Sequence, residues 1–293
     1  MTHINVVAEI GINHNGSVDT AIKMIEAAKK SGADYVKFQK REPMVDVPVE
    51  QWEVSRETPW GTISYIEYKK KMEISLEEYG QIDRACKDID IPWFPSVFSK
   101  QAAQSIVSCF SPRYIKIPSA KLTDDMLLDH LRKRYMPTIL STGMSTINEV
   151  KHAVQLLAPA VVMQCTSSYP CPDEDINLQV LKHYRDAPWL SMCEIGYSGH
   201  EFGIAPTIAA AAIGATWIER HFTLDKTSWG TDQYSSIEPR EFADMVRSIR
   251  SVERALGDGY KSIMPSEEDA KGKLRGMVVK NGNCLLYTSP SPR

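Results

Sequence analysis

Two histidines stand at the ends of short apolar runs in the last third of the chain: His200 in Tyr197-Ser198-Gly199-His200, and His221 in Trp217-Ile218-Glu219-Arg220-His221-Phe222. Each run reads as a buried strand that turns polar where it leaves a sheet, so each delivers one imidazole to the rim. If the two strands are neighbours in a parallel barrel, the imidazoles meet at one mouth. Two imidazoles with a carboxylate nearby make a half-shell for a divalent ion that leaves positions open for water or substrate. On the pair alone, two hydrogen-bonded structural histidines are the competing reading.

Charged residues also interrupt apolar runs elsewhere. Glu9 lies among Val6, Val7, Ala8 and Ile10; Lys37 sits in Ala33-Asp34-Tyr35-Val36-Lys37-Phe38-Gln39, and Lys116 in Tyr114-Ile115-Lys116-Ile117-Pro118-Ser119. A charge inside such a strand is costly unless it is paired or points at a site. The strand ends together offer Glu9, Lys37, Gln39, Ser96, Lys116, Ser119, Ser141, Thr142, Thr166, Ser167, Tyr169, Ser198, His200, Glu219 and His221. Lysines and hydroxyls that converge with loop amides bind a phosphate or carboxylate. Imidazoles with a carboxylate hold a metal that polarises a carbonyl. The chemistry this suggests is a metal-assisted reaction of a small, multiply anionic substrate. Each lysine could instead be a Schiff-base nucleophile, or a structural cation paired with Glu9 or Glu219. Ser141, Thr142 and Thr166 could simply bond neighbouring backbone, and Tyr169 before Pro170 could be packing. His3, His130, His152 and His183 read as surface residues.

Those side chains need a scaffold that brings distant strand ends together. Eight strand patterns occur, near 5–10, 33–39, 92–97, 114–119, 137–142, 160–166, from Trp189 to Ile195 onward, and 217–222. Helical spacing lies between them, without turn-linked hairpins. This alternation predicts an α/β fold of the (β/α)8 TIM-barrel type, whose chemistry sits at the C-terminal strand ends. No GxGxxG follows the first strand, which argues against a dinucleotide fold. Residues 40–74 break the rhythm with charge and aromatics, too long for an ordinary loop, and read as a lid or a short helical excursion. Residues 1–262 are expected to be the barrel; 263–293 fit no further unit, Lys271 to Lys280 being basic and Leu286 to Arg293 linker-like, and read as a linker remnant or truncated C-terminal segment.

The 293 residues, 43% hydrophobic and 24% charged, suffice for one large soluble core. A net charge of -3 gives no whole-molecule attraction to nucleic acid or an anionic membrane, so an anionic ligand must be held by local cations. The six cysteines show no CxxC spacing and are expected to be reduced, buried thiols of a cytoplasmic protein. Met1-Thr2-His3-Ile4-Asn5 lacks a basic n-region and a long apolar run, so no secretory signal is expected. No run has the length of a membrane span.

Seven stretches in order resemble the sialic acid synthases (N-acetylneuraminate synthases) and the related makers of nine-carbon ulosonic acids. They are Ala8-Glu9-Ile10-Gly11-Ile12-Asn13-His14, Val36-Lys37-Phe38-Gln39, Ile115-Lys116-Ile117-Pro118-Ser119, Leu140-Ser141-Thr142-Gly143-Met144, Cys165-Thr166-Ser167-Ser168-Tyr169-Pro170, Gly196-Tyr197-Ser198-Gly199-His200 and Glu219-Arg220-His221-Phe222. The resemblance covers residues 4 to 260. It implies that phosphoenolpyruvate condenses with the open-chain aldehyde of an N-acyl mannosamine-type sugar and releases phosphate by C–O cleavage. It further implies a divalent metal on His200 and His221, Mn2+ before Mg2+ or Co2+. Glu9, Lys37, Lys116 and Glu219 would be catalytic. Lys37 and Lys116, with Ser96, Ser119, Ser141 and Ser198, would hold the phosphate and carboxylate, and Gln39, Tyr169 and Asp232 the sugar, with Ser167 also on substrate.

The chain departs from the family pattern at three places: Lys121 where an acidic residue is common, Ser167 where Asn is frequent, and Gly199 where many have Asp. These changes bear on sugar identity more than on reaction type. Relatives also carry a C-terminal antifreeze-like domain that brings an arginine to the partner's site. Its absence here implies altered acceptor binding and a homodimer resting on barrel contacts alone. Three readings compete with this one: a Schiff-base aldolase or lyase on Lys37 or Lys116; a synthase for a sugar phosphate, for which Lys69-Lys70-Lys71 would be the second cationic cluster; and a catalytically lapsed barrel serving as a binding protein.

Overall fold

A computed structural model describes residues 3–275. Contacts divide the chain into two units, Met1–Ala255 and Leu256–Arg293. In the first, strands β1 (Asn5–Gly11) and β2 (Tyr35–Lys40) are followed by a small antiparallel pair, β3 (Ser55–Thr58) and β4 (Gly61–Ser64). Then come β5 (Trp93–Val97), β6 (Ile115–Ile117), β7 (Thr138–Ser141), β8 (Val161–Cys165), β9 (Glu194–Gly199) and β10 (Trp217–His221). All but β3 and β4 form a closed parallel barrel in the order β1-β10-β9-β8-β7-β6-β5-β2, with β2 returning to β1. This is the TIM-barrel fold expected.

Helices α1 (Val18–Lys30), α2 (Pro43–Asp46), α3 (Tyr65–Met72), α4 (Leu76–Ile89) and α5 (Lys100–Cys109) alternate with the strands, as do α6 (Asp125–Arg132), α7 (Ile147–Leu157), α8 (Gln179–Asp186), α9 (Ala205–Ala212) and α10 (Pro239–Leu256). Local sequence starts several of them. The Ser75 and Thr146 side chains accept from the backbone of Glu78 and Glu149, whose carboxylates reach back, so α4 and α7 open on capping boxes. Their apolar faces, such as Tyr79, Ile82 and Cys86 of α4, pack on the outer face of the barrel.

Three sequence expectations are corrected. The seventh strand does not begin at Trp189: Pro188–Leu190 is a 3-10 turn and β9 starts at Glu194. Proline's fixed φ and missing N–H suit the first position of a helical turn better than a central strand. The long segment after β2 contains a hairpin, β3–β4, as well as helices α2 and α3. The five described thiols are free, but Cys109 is exposed and Cys193 half-buried, because they lie at helix and strand ends instead of in the core.

Inside the barrel the side-chain period of two sorts polar from apolar. Val7, Tyr35, Phe94, Ile139, Val161, Met163 and Trp217 form an inner cluster with Tyr114 and Ala160 against it. Two residues further along the same strands stand Glu9, Lys37, Ser96, Lys116, Ser141 and Glu219, all buried. An apolar plug therefore closes the lower barrel and a polar layer lies above it.

The second unit holds a 3-10 turn, Pro265–Glu267, and a short helix α11 (Glu268–Leu274). Lys271 to Lys280 reaches beyond the described residues, and Met1, Thr2, Cys284 and Leu286 to Arg293 lie outside them. No described helix is long and apolar enough to cross a membrane.

Candidate active site

The register of β1, β2 and β10 sets Glu9 beside both Lys37 and His221. Lys37 Nζ lies 2.9 Å from Glu9 Oε1 and 3.6 Å from Glu219 Oε1, and donates to Ser96 Oγ at 2.7 Å. Lys116 Nζ lies 2.6 Å from Glu219 Oε1, which also accepts from Ser198 Oγ at 3.2 Å. Gln39 Nε2 donates to Glu9 Oε1 at 3.1 Å. Two ammonium groups and two carboxylates thus form one buried network.

Lys37 is nearer Glu9, yet the two carboxylates differ in charge. Burial pushes Glu9 up, and the Lys37 ammonium only partly opposes this while Glu219 adds to it. Burial acts on Glu219 too, but Lys116 and then Lys37 outweigh it and hold its carboxyl low. Glu219 is therefore the fixed anion and Glu9 the group that takes a proton. With Glu9 protonated, two lysines and one carboxylate leave this floor with one net positive charge.

Above it, His200 and His221 stand with ring centroids 5.4 Å apart, and Tyr169 lies against both, at 4.1 and 5.8 Å. His200 Nδ1 is 2.8 Å from the Thr166 carbonyl. A carbonyl only accepts, so Nδ1 carries a proton, and in the neutral ring Nε2 would keep its lone pair. His221 Nδ1 is buried without a hydrogen-bond partner, 3.8 Å from Asp232 Oδ2, and burial drives the imidazole down to about 3, so it is neutral. Burial lowers His200, but Cys165, the Thr166 carbonyl and Glu219 outweigh it and raise the imidazole, so it would give up a proton to bind an ion through Nε2; with the neutral, unpartnered His221 beside it, the pair fits a divalent ion. Among the described residues no three His, Cys, Asp or Glu side chains gather as a complete ligand set, so these two would supply half a shell.

All of this faces one cavity of about 320 Å3, also lined by Gln39, Ser119, Ser141, Ser167 and Asp232. The structure brings every candidate substrate, metal and catalytic residue to this mouth. Glu9 Oε2, Glu219 Oε2, Ser141 Oγ and Ser167 Oγ are buried and make no hydrogen bond within the protein. Ser119 Oγ instead accepts from the Gly143 amide at 3.0 Å. Thr142 and Thr166 bond the Met163 and Asp175 carbonyls, which is the structural reading considered for them. A Cβ on Gly143 would sit 2.3 Å from Ser167 Oγ and 2.9 Å from Ser119 Oγ, so a side chain there would displace two of the cavity's hydroxyls.

Two of the three departures from the family pattern lie off the cavity. Lys121 pairs with Asp124 at 3.5 Å, and Gly199 faces outward where a Cβ would meet Glu201 Oε2 at 2.4 Å. There Arg220 and Glu201, both fully buried, pair at 3.0 Å behind the barrel wall. Only Ser167 can bear on the ligand.

Several lining residues were not singled out in sequence. Cys165 lies 3.9 Å from His200 Nδ1; burial raises its thiol, but His200 and Lys116 overcome this and bring it to about 7. Arg41 also lines the cavity, as does Lys69, which the sequence had offered only as part of a second cationic cluster. Asn13 Nδ2 donates to the Phe222 carbonyl at 2.9 Å and to Ser236 Oγ at 2.8 Å, and Gln233 Nε2 donates to the Asn13 carbonyl at 3.0 Å. These bonds tie the first loop to the segment carrying Asp232. A buried Asn between a strand and a helix was the available signal.

A parallel barrel with paired lysines and two imidazoles at its C-terminal mouth defines a barrel enzyme for a small anionic substrate. The NeuB family model matches residues 24–261. Human N-acetylneuraminate-9-phosphate synthase is 38% identical over 284 residues, covering 94% of this chain and 77% of that protein. The N,N'-diacetyllegionaminic acid synthase of Legionella pneumophila is 34% identical, with 94% and 79% covered. Among solved structures, the N-acetylneuraminic acid (sialic acid) synthetase of Leptospira borgpetersenii serovar Hardjo-bovis, in complex with citrate, superposes with a TM-score of 0.81 at 27% identity, covering 93% of each chain. The chain belongs to the NeuB family. It is a synthase that forms a carbon–carbon bond.

Proposed function

We propose that this chain condenses phosphoenolpyruvate with the open-chain aldehyde of an N-acyl mannosamine-type sugar, giving a nonulosonic acid and inorganic phosphate. The observation that carries this reading is the convergence of Lys37, Lys116, His200 and His221 on one cavity. C3 of phosphoenolpyruvate bonds to the aldehyde carbon, whose oxygen takes up a proton. Water adds at C2, and the C2–O bond to phosphorus breaks, leaving a 2-keto acid and phosphate.

Lys37 and Lys116 meet the phosphate and carboxylate, helped by Ser96, Ser119, Ser141, Ser167 and Ser198, as charge-assisted donors. Glu219 pairs with both amines and favours their charged forms, against the burial that lowers Lys116, so we read them as cations and not as Schiff-base nucleophiles, which require a neutral amine. Glu9, which burial favours in its acid form, holds a proton beside the reacting carbons. Gln39, Tyr169 and Asp232 orient the sugar. His200 and His221 would hold a divalent ion, Mn2+ being our choice; when bound it supplies Lewis acidity toward the aldehyde oxygen. The free thiols support a reducing, cytoplasmic setting.

Phosphate release should require phosphoenolpyruvate, the sugar and Mn2+ together. The His221→Ala variant should retain the melting profile and lose turnover by about a hundredfold or more, the scale of removing a preorganised electrostatic group. Full metal-dependent turnover by that variant would sink the assignment, and borohydride trapping of pyruvate on a lysine with metal removed would replace it with the Schiff-base reading.

A further inference from the structure

The two imidazoles lie just past the point where the ladder between their strands ends. β9 and β10 pair from Gly196 with Trp217 to Gly199 with Arg220, and His200 and His221 are each the next residue. His221 is still held by β1, where it pairs with Glu9. His200 follows the last residue of β9 and begins a loop. Its carbonyl accepts from the Cys171 amide at 3.0 Å and its ring meets the Thr166 carbonyl, both in the segment after β8. The tie between this loop and β10 is made by a side chain.

That side chain is Arg220. The alternation that turns Glu219 and His221 into the barrel turns Arg220 out, against the loop after β9 and the start of α9. Its Nη2 donates to the Glu201 carbonyl at 2.6 Å, and Nη1 lies 2.8 Å from the Gly203 carbonyl, 3.0 Å from Glu201 Oε1 and 2.9 Å from Thr207 Oγ1. One guanidinium, carried by the residue before His221, thus grips two carbonyls of the loop that begins at His200. The Glu201 carboxylate completes the clamp: Oε1 accepts from Thr207 Oγ1 at 2.5 Å and Oε2 from the Tyr197 hydroxyl at 2.8 Å. Arg220, Glu201 and Thr207 are fully buried, and none of them lines the cavity. The place of this carboxylate depends on Gly199, where a Cβ would stand 2.4 Å from Glu201 Oε2 and 3.1 Å from Arg220 Cδ. The missing side chain at 199 and the acid at 201 are therefore one feature. An ion pair buried this deeply adds little stability over an apolar replacement, so stability alone does not call for it.

We propose, resting on the synthase reading above, that Arg220 and Glu201 are positioning residues that lock the His200 loop to β10 and so set the spacing of the two imidazoles for a divalent ion. Neither touches substrate or ion. The planar fork matters because different nitrogens grip the two carbonyls; a lysine keeps the charge but offers a single point. Partners behind ligating histidines are worth about 10–100-fold in ion affinity, so the clamp is read in binding before it is read in turnover.

The test is Mn2+ binding to the full chain, followed by the electron paramagnetic resonance signal of the free ion, with phosphoenolpyruvate binding measured in the absence of metal. Arg220→Lys and Glu201→Ala should each raise the Mn2+ dissociation constant at least about tenfold and move that of phosphoenolpyruvate less than about threefold. Glu201→Gln, which keeps an acceptor for the guanidinium, should stay within about threefold of the parent for both ligands. Thr207→Val gives an isosteric, milder cut, about threefold on Mn2+, and decides the matter if circular dichroism shows the larger changes unfolded. Leu128→Ala, in the core beneath α6, should lower the melting temperature and leave Mn2+ affinity unchanged. Mn2+ binding like the parent's in folded Arg220→Lys and Glu201→Ala, or in Thr207→Val, overturns the clamp and leaves the synthase reading standing. An equal loss of Mn2+ affinity in Leu128→Ala also overturns it, since affinity would then follow stability. A parent chain that binds no Mn2+, or a His200→Ala variant that binds it as the parent does, overturns both the clamp and the metal site beneath it.

Discussion

The barrel interior holds two layers that share strands, curvature and burial and differ by two residues in sequence. Val7, Tyr35, Phe94, Tyr114, Ile139 and Trp217 lie in the lower layer, and Glu9, Lys37, Ser96, Lys116, Ser141 and Glu219 in the upper. Two strands differ: β8 keeps Met163 apolar and defers its polar group to Cys165, and β9 brings Ser198 to the upper layer above Gly196, which has no side chain. The lower layer satisfies itself: Tyr35 and Trp217 lie 5.3 Å apart, Tyr114 and Trp217 5.1 Å, with no charge to pair. In the upper layer every charge has at least one partner, and several atoms have none. The contrast separates what closes the barrel from what awaits a ligand.

The sharpest way to break this contrast is to empty the upper layer of its fixed anion. In Glu219→Leu, Lys116 loses its carboxylate and Lys37 loses one of two. Removing one partner of a buried pair costs about 3–5 kcal/mol, so the denaturation midpoint should fall clearly and turnover should disappear. A variant as stable and active as the parent would mean that Glu219 does not hold the lysines charged.

A somewhat smaller effect is expected outside both layers. His14 is buried, its Nδ1 accepts from the Gly16 amide at 3.0 Å, and burial lowers it from 6.5 to about 4. The folded state thus favours the neutral ring. Its contribution is full above the unfolded value of 6.5 and is lost as pH falls toward 4, a drop of about 3 kcal/mol by linkage. Denaturation of the wild type and His14→Gln across pH 7 to 4 should show a steeper decline in the wild type; parallel curves would contradict the shift.

The smallest effect belongs to the plug. Ile139→Val should cost about 1 kcal/mol, as one lost methylene does, and leave kcat/KM within twofold. If it altered turnover more than stability, the two layers would not be separable.

Much of this division was legible before any coordinates. Charges inside apolar runs, Glu9, Lys37, Lys116 and Glu219, could only point inward to a site or a partner, and the structure shows them paired with one another and lining one cavity. The same period of two also explains what was misread. Ser198 and His200 share a face, so Gly199 between them must point outward, as Arg220 does between Glu219 and His221. Linking the Gly199 departure to sugar identity ignored that alternation. Lys121 leaves a 3-10 turn toward Asp124, which no periodicity announces. Arg41 escaped because it lies just past a strand end at the start of the long insertion. Cys165 escaped because a lone cysteine in an apolar run carries no mark of the lysine and imidazole beside it. The hairpin within the insertion was missed since its strands are four residues each and only half-buried at best.

The central claim, that the upper layer is a single site for phosphoenolpyruvate and a divalent ion, is tested most directly by a crystal structure of this chain with both bound. The account predicts the phosphate and carboxylate among Lys37, Lys116 and the serines, with Mn2+ between His200 and His221. Phosphoenolpyruvate in another cavity, or Mn2+ away from both imidazoles, would contradict it.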